Sequence, residues 1–410
     1  MQTHLAPEFK NTADGQAAEA ILRKCVHCGF CNATCPTYQL LGDELDGPRG
    51  RIYLIKQMLE GQTPTRKTQL HLDRCLTCRN CETTCPSGVQ YGHLEDIGRK
   101  LVDERVPRPA GEKALRWALK EGLPSPLFAP AMKVGQAVRG LLPVALKAKV
   151  PARQPSGVWP QREHARKMLM LAGCVQPAMM PNINSATARV LDAAGIQTVL
   201  APKAGCCGAV KFHLNDQDGG KAEMKNNIDA WWPFVEAGVE AIVMNASGCG
   251  VTVKEYGYHL KDEAAYAVKA ARISELTRDL SELLPMLVAA LRGKVSAHAG
   301  AIAFHPPCTL QHGQQLRGGV EQYLGELGFK VSTSANESHL CCGSAGTYSV
   351  LMPDMALQLR DRKLSNLGEM KPEVIVSANI GCITHLQSGT ATPVRHWVEV
   401  LDEALTASSN

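Results

Sequence analysis

Residues 25–36 read Cys25-x-x-Cys28-x-x-Cys31-x-x-x-Cys35-Pro36, and residues 75–86 repeat the run as Cys75-x-x-Cys78-x-x-Cys81-x-x-x-Cys85-Pro86. No other feature constrains the fold of this chain so tightly. Thiolates are soft ligands suited to iron in a sulfide cluster. Three closely spaced cysteines can wrap three corners of one cubane. The fourth lies too far along to reach it comfortably, and in two-cluster ferredoxins it serves the other cluster. The expected ligand sets are therefore Cys25, Cys28, Cys31 and Cys85 for one [4Fe–4S] cluster, and Cys35, Cys75, Cys78 and Cys81 for the other. Zinc is the alternative, because paired Cys-x-x-Cys motifs also build Cys₄ sites. The x₂, x₂, x₃-Cys-Pro run repeated twice favours the clusters.

Between the runs lie 39 residues, including GPRGRIYLIKQMLEG, in which Ile52, Ile55, Met58 and Leu59 fall on one helical face. Residues 1 to about 100 are therefore expected to form a mainly helical ferredoxin module. His27 and Arg79 read as loop surface, and Arg49 and Arg51 as ion-pairing residues within that module. Residues 101–165 carry no cysteine but nine prolines, and read as a Pro-rich basic linker. From Arg99 to Lys167 there are fifteen Lys/Arg against five Asp/Glu, although the whole chain is only +5. The stretch LFAPAMKVGQAVRGLLPVALKAKV mixes apolar residues with Lys133, Arg139, Lys147 and Lys149. Such a segment can lie on an anionic membrane surface, dock on a partner or pack as a connector. Pro143 argues against one unbroken helix.

The remaining eight cysteines form an internal repeat. LMLAGCVQP, APKAGCCGA and IVMNASGCG in one copy answer IAFHPPCTL, SHLCCGSAG and VIVSANIGC in the other. The two sets are Cys174, Cys206, Cys207 and Cys249, and Cys308, Cys341, Cys342 and Cys382. The gaps are 32 and 33 residues to the adjacent pair, then 42 and 40 onward. Strand-like runs (MLML, VEAIVM, AIAF, PEVIVS) alternate with helical patterns such as INSATARVLDAAG, GGVEQYLGELG and DMALQLRDRKLSNLG. That alternation predicts a parallel α/β sheet in each copy, over residues 166–290 and 291–410, and an α+β multidomain chain overall. Ligands in such sheets gather at the carboxyl ends of strands. Gly208 and Gly343 would let the backbone approach a bulky cofactor. The four-cysteine sets are candidate sites for further clusters, with zinc and a vicinal disulfide as alternatives.

The repeated Cys…CysCysGly…Cys pattern resembles the cysteine-rich (CCG) domains of heterodisulfide reductase subunits. Joined to the two-cluster module, it resembles the iron–sulfur subunits of bacterial glycolate oxidase and anaerobic glycerol-3-phosphate dehydrogenase. RKCVHCGFCNATCPTYQLLGDELDGPRGRIYLIKQMLEG and LDRCLTCRNCETTCPSGV look most like the glycolate oxidase subunit. The resemblance implies separate flavin-binding subunits that oxidise glycolate to glyoxylate, with this chain passing electrons to a quinone or other acceptor. Lactate or glycerol 3-phosphate dehydrogenase, and a heterodisulfide-reductase-like catalytic subunit, are the alternatives. Fuller CCG motifs end in Cys-x-x-Cys, whereas here Thr252 follows Cys249 and His385 follows Cys382, so each copy lacks one thiolate. His385 is the one candidate to replace it.

No G-x-G-x-x-G follows a strand, and no P-loop, H-E-x-x-H or G-x-S-x-G occurs. The expectation is a chain without flavin or NAD of its own and without nucleic-acid contacts. The start, MQTHLAPEFKNTADG, has no apolar core of a signal peptide. A cytoplasmic protein is expected, held peripherally at the inner membrane if the basic stretch engages lipid.

Overall fold

The computed structural model describes residues 1–143, 147, 150–297 and 299–405. Lys149 of the basic stretch and the last five residues of the second repeat lie outside these. The first hundred residues are helical, as expected. Helix Pro48–Leu59 starts on a proline, whose fixed φ suits a first turn, and buries Ile52, Ile55, Met58 and Leu59. It packs on Tyr91–Arg105, where Gly98 makes room for Ile55: a Cβ there would stand 2.5 Å from the Ile55 side chain. Leu101, Val102 and Val106 belong to the same core, so helical packing continues past residue 100.

The stretch expected as a linker contains helices Ala110–Gly122 and Phe128–Ala137. Much of its positive charge is paired. Arg108 bonds Asp73 at 2.6 Å and Asp103 at 2.5 Å, Arg116 bonds Asp73 at 2.8 Å, and Lys120 reaches Asp216 at 2.9 Å. Among the described residues, no helix is long and apolar enough to cross a membrane.

Two parallel four-stranded sheets follow. The first contains β1 (Arg166–Met170), β2 (Ile196–Leu200), β3 (Ile242–Met244) and β4 (Thr277–Asp279), in the order β2-β1-β3-β4. The second contains β5 (Ala301–His305), β6 (Lys330–Thr333), β7 (Val374–Ser377) and β8 (Val394–His396), in the order β6-β5-β7-β8. The matched orders give the internal repeat its structural form. Along β1 the side chains alternate between faces. Met168 and Met170 enter a core shared with Phe304 and Trp397 of the second sheet, while Leu169 enters one built around Trp231 and Tyr256. Helix Asn182–Ala193 packs against Trp397–Glu403 across this shared core. Arg189 clamps Asp402 there with three bonds, of 2.8, 3.1 and 2.6 Å.

Candidate functional site

The two N-terminal cysteine runs fold alike. In each, the residues two and four places after the first cysteine take left-handed backbone conformations: His27 (φ 59°) and Gly29 (φ 89°), then Thr77 (φ 49°) and Arg79 (φ 57°). These turns curl the loop back on its own thiols, and the Thr77 N–H donates to the Cys75 sulfur at 3.4 Å. At Gly29 the glycine is needed for a second reason, since a Cβ would stand 2.5 Å from the Arg49 guanidinium. Short helices, Phe30–Ala33 and Asn80–Thr84, carry Cys31 and Cys81. They meet through a hydrogen bond of 3.1 Å between the equivalent hydroxyls of Thr34 and Thr84.

This pairing exchanges the fourth cysteines. Cys25, Cys28, Cys31 and Cys85 line one cavity, with Cys81 also in its wall. Cys35, Cys75, Cys78 and Cys81 line the next. Cys81 and Tyr91 border both, so the two cavities abut. Burial pushes the thiols of Cys31 and Cys75 up to about 11, with neighbouring Cys25 adding to the effect on Cys31 and Glu95 to that on Cys75. Crowded, buried sulfurs of this kind hold their thiolate form when a cationic centre sits among them. The donor set thus fits a four-thiolate cluster at each cavity.

The surroundings of the two cavities differ. The first opens to solvent: Cys28 is exposed, and Val26 and Phe30 beside it are 68% and 62% exposed. The second is roofed by the second repeat, where Leu76 and Cys78 pack against Cys308, Cys341 and Tyr348. Arg51, wholly buried beside this cavity, donates to the His71 carbonyl at 2.7 Å and to Thr37 at 3.1 Å, with Asp46 at 3.6 Å. Arg49 pairs with Glu44 at 2.6 Å. His27 is exposed, in keeping with a loop-surface residue. Arg79 is not: it bonds Glu255 at 2.5 and 2.8 Å and ties the ferredoxin loop to the first repeat. Glu255 lies 176 residues along the chain, so no local pattern announces this pair.

In each repeat the cysteines gather at the carboxyl edge of the sheet. Cys174 and Cys308 follow the ends of β1 and β5, and Cys249 and Cys382 lie in the helices after β3 and β7. In the first set Cys206 accepts from Cys174 and Cys207, which holds it low and pushes its two donors up. In the second, the sulfurs of Cys308 and Cys341 are 3.9 Å apart. Cys342, which also bonds Cys341, forms with Cys382 and His305 a group whose ligand atoms all lie within 4.8 Å of one another. Gly208 and Gly343 each allow a close packing of the protein on itself. Both have positive φ, and a Cβ would stand 2.7 Å from the Gly220 carbonyl or 2.4 Å from that of Ala356. His385 is turned away to the Ala356 carbonyl at 3.1 Å, and Thr252 bonds the Gly248 carbonyl at 3.1 Å. The histidine at this site is His305, which sequence reading missed inside the apolar run AIAFH. The signal was available in the repeat, where the same place, three residues before the lone cysteine, is Leu171.

Comparison with known proteins agrees with this layout. The 4Fe-4S dicluster domain family matches residues 21–89, and the cysteine-rich CCG domain family matches residues 168–254 and 302–387. The chain is 57% identical to the glycolate oxidase iron–sulfur subunit of Escherichia coli K12, over 99% of each chain. It is 29% identical to a probable glycolate oxidase iron–sulfur subunit of Bacillus subtilis, over 93% of this chain and 91% of that one. Lactate utilization protein A of an Exiguobacterium strain is 24% identical over 57% of this chain and 95% of its own length.

Proposed function

The chain belongs to the glycolate oxidase iron–sulfur subunit family, and from that premise we propose that it is the electron-transfer member of a complex oxidising glycolate to glyoxylate. It takes electrons from a flavin-binding subunit and delivers them to a quinone or other acceptor. The observation that carries this reading is the exchange of fourth cysteines round two abutting cavities. Cys25, Cys28, Cys31 and Cys85 would hold one [4Fe–4S] cluster, and Cys35, Cys75, Cys78 and Cys81 the other. Bound there, such clusters supply one-electron acceptance and release at adjoining positions.

The protein's own residues set the direction. Exposed Cys28, Val26 and Phe30 offer the first site to a docking flavin subunit. Leu76, Cys308 and Tyr348 exclude water from the second, and Arg51 places a buried positive charge beside it. A second surface supports membrane association. Leu127, Val134 and Leu141 are 64 to 87% exposed in the basic stretch that carries Lys133 and Arg139, and Trp117, in the helix before it, is 63% exposed. Apolar side chains can enter a lipid interface there while Lys and Arg meet anionic headgroups.

The test is iron and sulfide analysis with EPR on the anaerobically purified complex. The expected content in the ferredoxin module is about eight irons per chain, and Cys28→Ala or Cys78→Ala should each remove about four. Zinc in place of iron in that module, or a flavin bound to this chain, would overturn the reading.

A further inference from the structure

The second repeat differs from the first in one buried side chain, and that difference decides what the site can bind. His305 ends β5 and is 1% exposed, with neither ring nitrogen hydrogen-bonded. Unpartnered buried polar groups are costly and rare, and each calls for an explanation. The ring lies beside the sulfurs of Cys342 and Cys382, with all three ligand atoms within 4.8 Å of one another. Its counterpart in the first repeat, Leu171, is 4% exposed and has no ligand atom.

The four cysteines of this repeat form one linked run, Cys308–Cys341–Cys342–Cys382, whose two ends face different neighbours. Cys308 and Cys341 pack with Leu76 and Cys78, towards the ferredoxin module. Cys342 and Cys382 belong to the core shared by the two sheets. Lys363, 3% exposed, stands nearby and donates to the carbonyls of Glu337 (2.5 Å) and Ser338 (3.4 Å). The first repeat has Ile228 at the same distance beyond its cysteine pair.

The geometry points to a mononuclear metal site of the zinc type at His305, Cys342 and Cys382, in place of an all-cysteine cluster in this repeat. Zinc bonds sulfur at about 2.3 Å and imidazole nitrogen at about 2.0–2.1 Å, so in a tetrahedral site two ligands of one ion stand about 3.5–3.8 Å apart. The observed group, within 4.8 Å, reaches that spacing by closing in by at most about 1 Å. Thiolates on separate irons of a cubane are further apart, since an iron–iron edge lies between them. One nitrogen and two sulfurs are a donor set that suits zinc. Cys342 and Cys382 release their thiol protons to solvent as the ion binds, and His305 binds through an unprotonated ring nitrogen. Three protein ligands leave a fourth position. The first repeat offers sulfur donors alone, with Leu171 where His305 stands. This inference does not rest on the electron-transfer reading.

The experiment assays zinc, iron and sulfide together in the full chain, purified anaerobically, for the wild type, His305→Leu and Cys382→Ser. His305→Leu installs the residue that the first repeat carries at the same place, and it removes an unpaired polar group. One equivalent of zinc is expected in the wild type and its loss in both variants, with ferredoxin iron unchanged. A chelator should speed amide exchange over β5 and helix Ile380–Gln387 in the wild type but not in His305→Leu. Cobalt in place of zinc should give visible ligand-field bands that are lost in His305→Leu. The proposal is overturned if the wild type holds no zinc, if His305→Leu retains it, or if the site proves to hold iron and sulfide beyond the ferredoxin content. Loss of ferredoxin iron alone would count against the electron-transfer reading and leave zinc binding intact.

Discussion

Replacing Arg79 by alanine tests whether the ferredoxin loop and the first repeat are joined by charge. Arg79 and Glu255 meet at 2.5 and 2.8 Å, with side chains 15% and 21% exposed. Unit charges about 4 Å apart interact by about 4 kcal/mol at an effective dielectric constant near 20. Removing one partner of a buried pair typically costs about 3–5 kcal/mol. Residual exposure reduces this, and about 2–3 kcal/mol is the expected cost. The other cationic candidates near Glu255 are His93 and His259, each 3.8 Å away. Burial holds them at about 4 and about 3, so at pH 7 both are neutral and cannot replace the guanidinium. A chain with several domains does not unfold as one unit, so a global melting curve is the wrong assay. Amide exchange over helices Ser247–Lys254 and Tyr256–His259 reads the local opening energy directly. In a cycle of Arg79→Ala, Glu255→Ala and the double variant, a coupling of about 1–2 kcal/mol is expected. Single costs below about 0.5 kcal/mol, the range of exposed pairs, or costs that simply add, would refute the reasoning.

Other consequences concern the second repeat. Gly343→Ala must hold a φ of 87° and place its Cβ 2.4 Å from the Ala356 carbonyl. The left-handed backbone alone costs about 1–2 kcal/mol, and the clash adds to it, so denaturant unfolding of this repeat should shift by more than 2 kcal/mol; a change below about 1 would contradict the packing described. His396 is fully buried and accepts from the Val398 N–H at 3.1 Å, and burial holds it at about 3. Its unfolded value is about 6.5, so its contribution is complete above that pH and is lost as the pH falls towards 3. Amide exchange over Trp397–Glu403 should therefore show stability falling by about 1.4 kcal/mol per unit between pH 6 and 4 from this residue. His396→Asn should flatten that slope by about one proton; an unchanged slope would contradict the assignment.

What the sequence reveals about this fold follows burial. The runs read as strands, MLML, VEAIVM, AIAF and PEVIVS, supply β1, β3, β5 and β7, the central strands of the two sheets. Covered on both faces, these strands are written in apolar residues. Their neighbours β2, β4, β6 and β8 lie at the edges, and IQTVL, TRD, KVST and VRH are short or half-polar. Such sequences do not stand out from loops. The eight ferredoxin cysteines could be grouped because their spacing is local. Arg79 was misread as surface because its partner is remote. His305 does not stand out because an imidazole in an apolar strand resembles any other buried residue until the repeat is aligned on its cysteines.

The two ferredoxin runs share one cysteine spacing, and the rest of the chain makes them unequal. Nothing in Cys25-x-x-Cys28 or Cys75-x-x-Cys78 requires one to face solvent and the other protein. The difference comes from what packs on them. Leu76, at the second position of the second run, is 3% exposed against Tyr348 and Cys308, whereas Val26, at the matching position of the first, is 68% exposed. Tyr348 reinforces the seal by donating to the Arg74 carbonyl at 3.2 Å, directly before Cys75. Exposure and nearby charge both tune an iron–sulfur centre, so the second repeat differentiates the two sites whatever it binds itself. Opening that seal, for instance with Leu76→Ser, should change the EPR signal of one cluster and leave the other as it was. Equal changes in both would mean that the asymmetry lies in the cysteine loops after all.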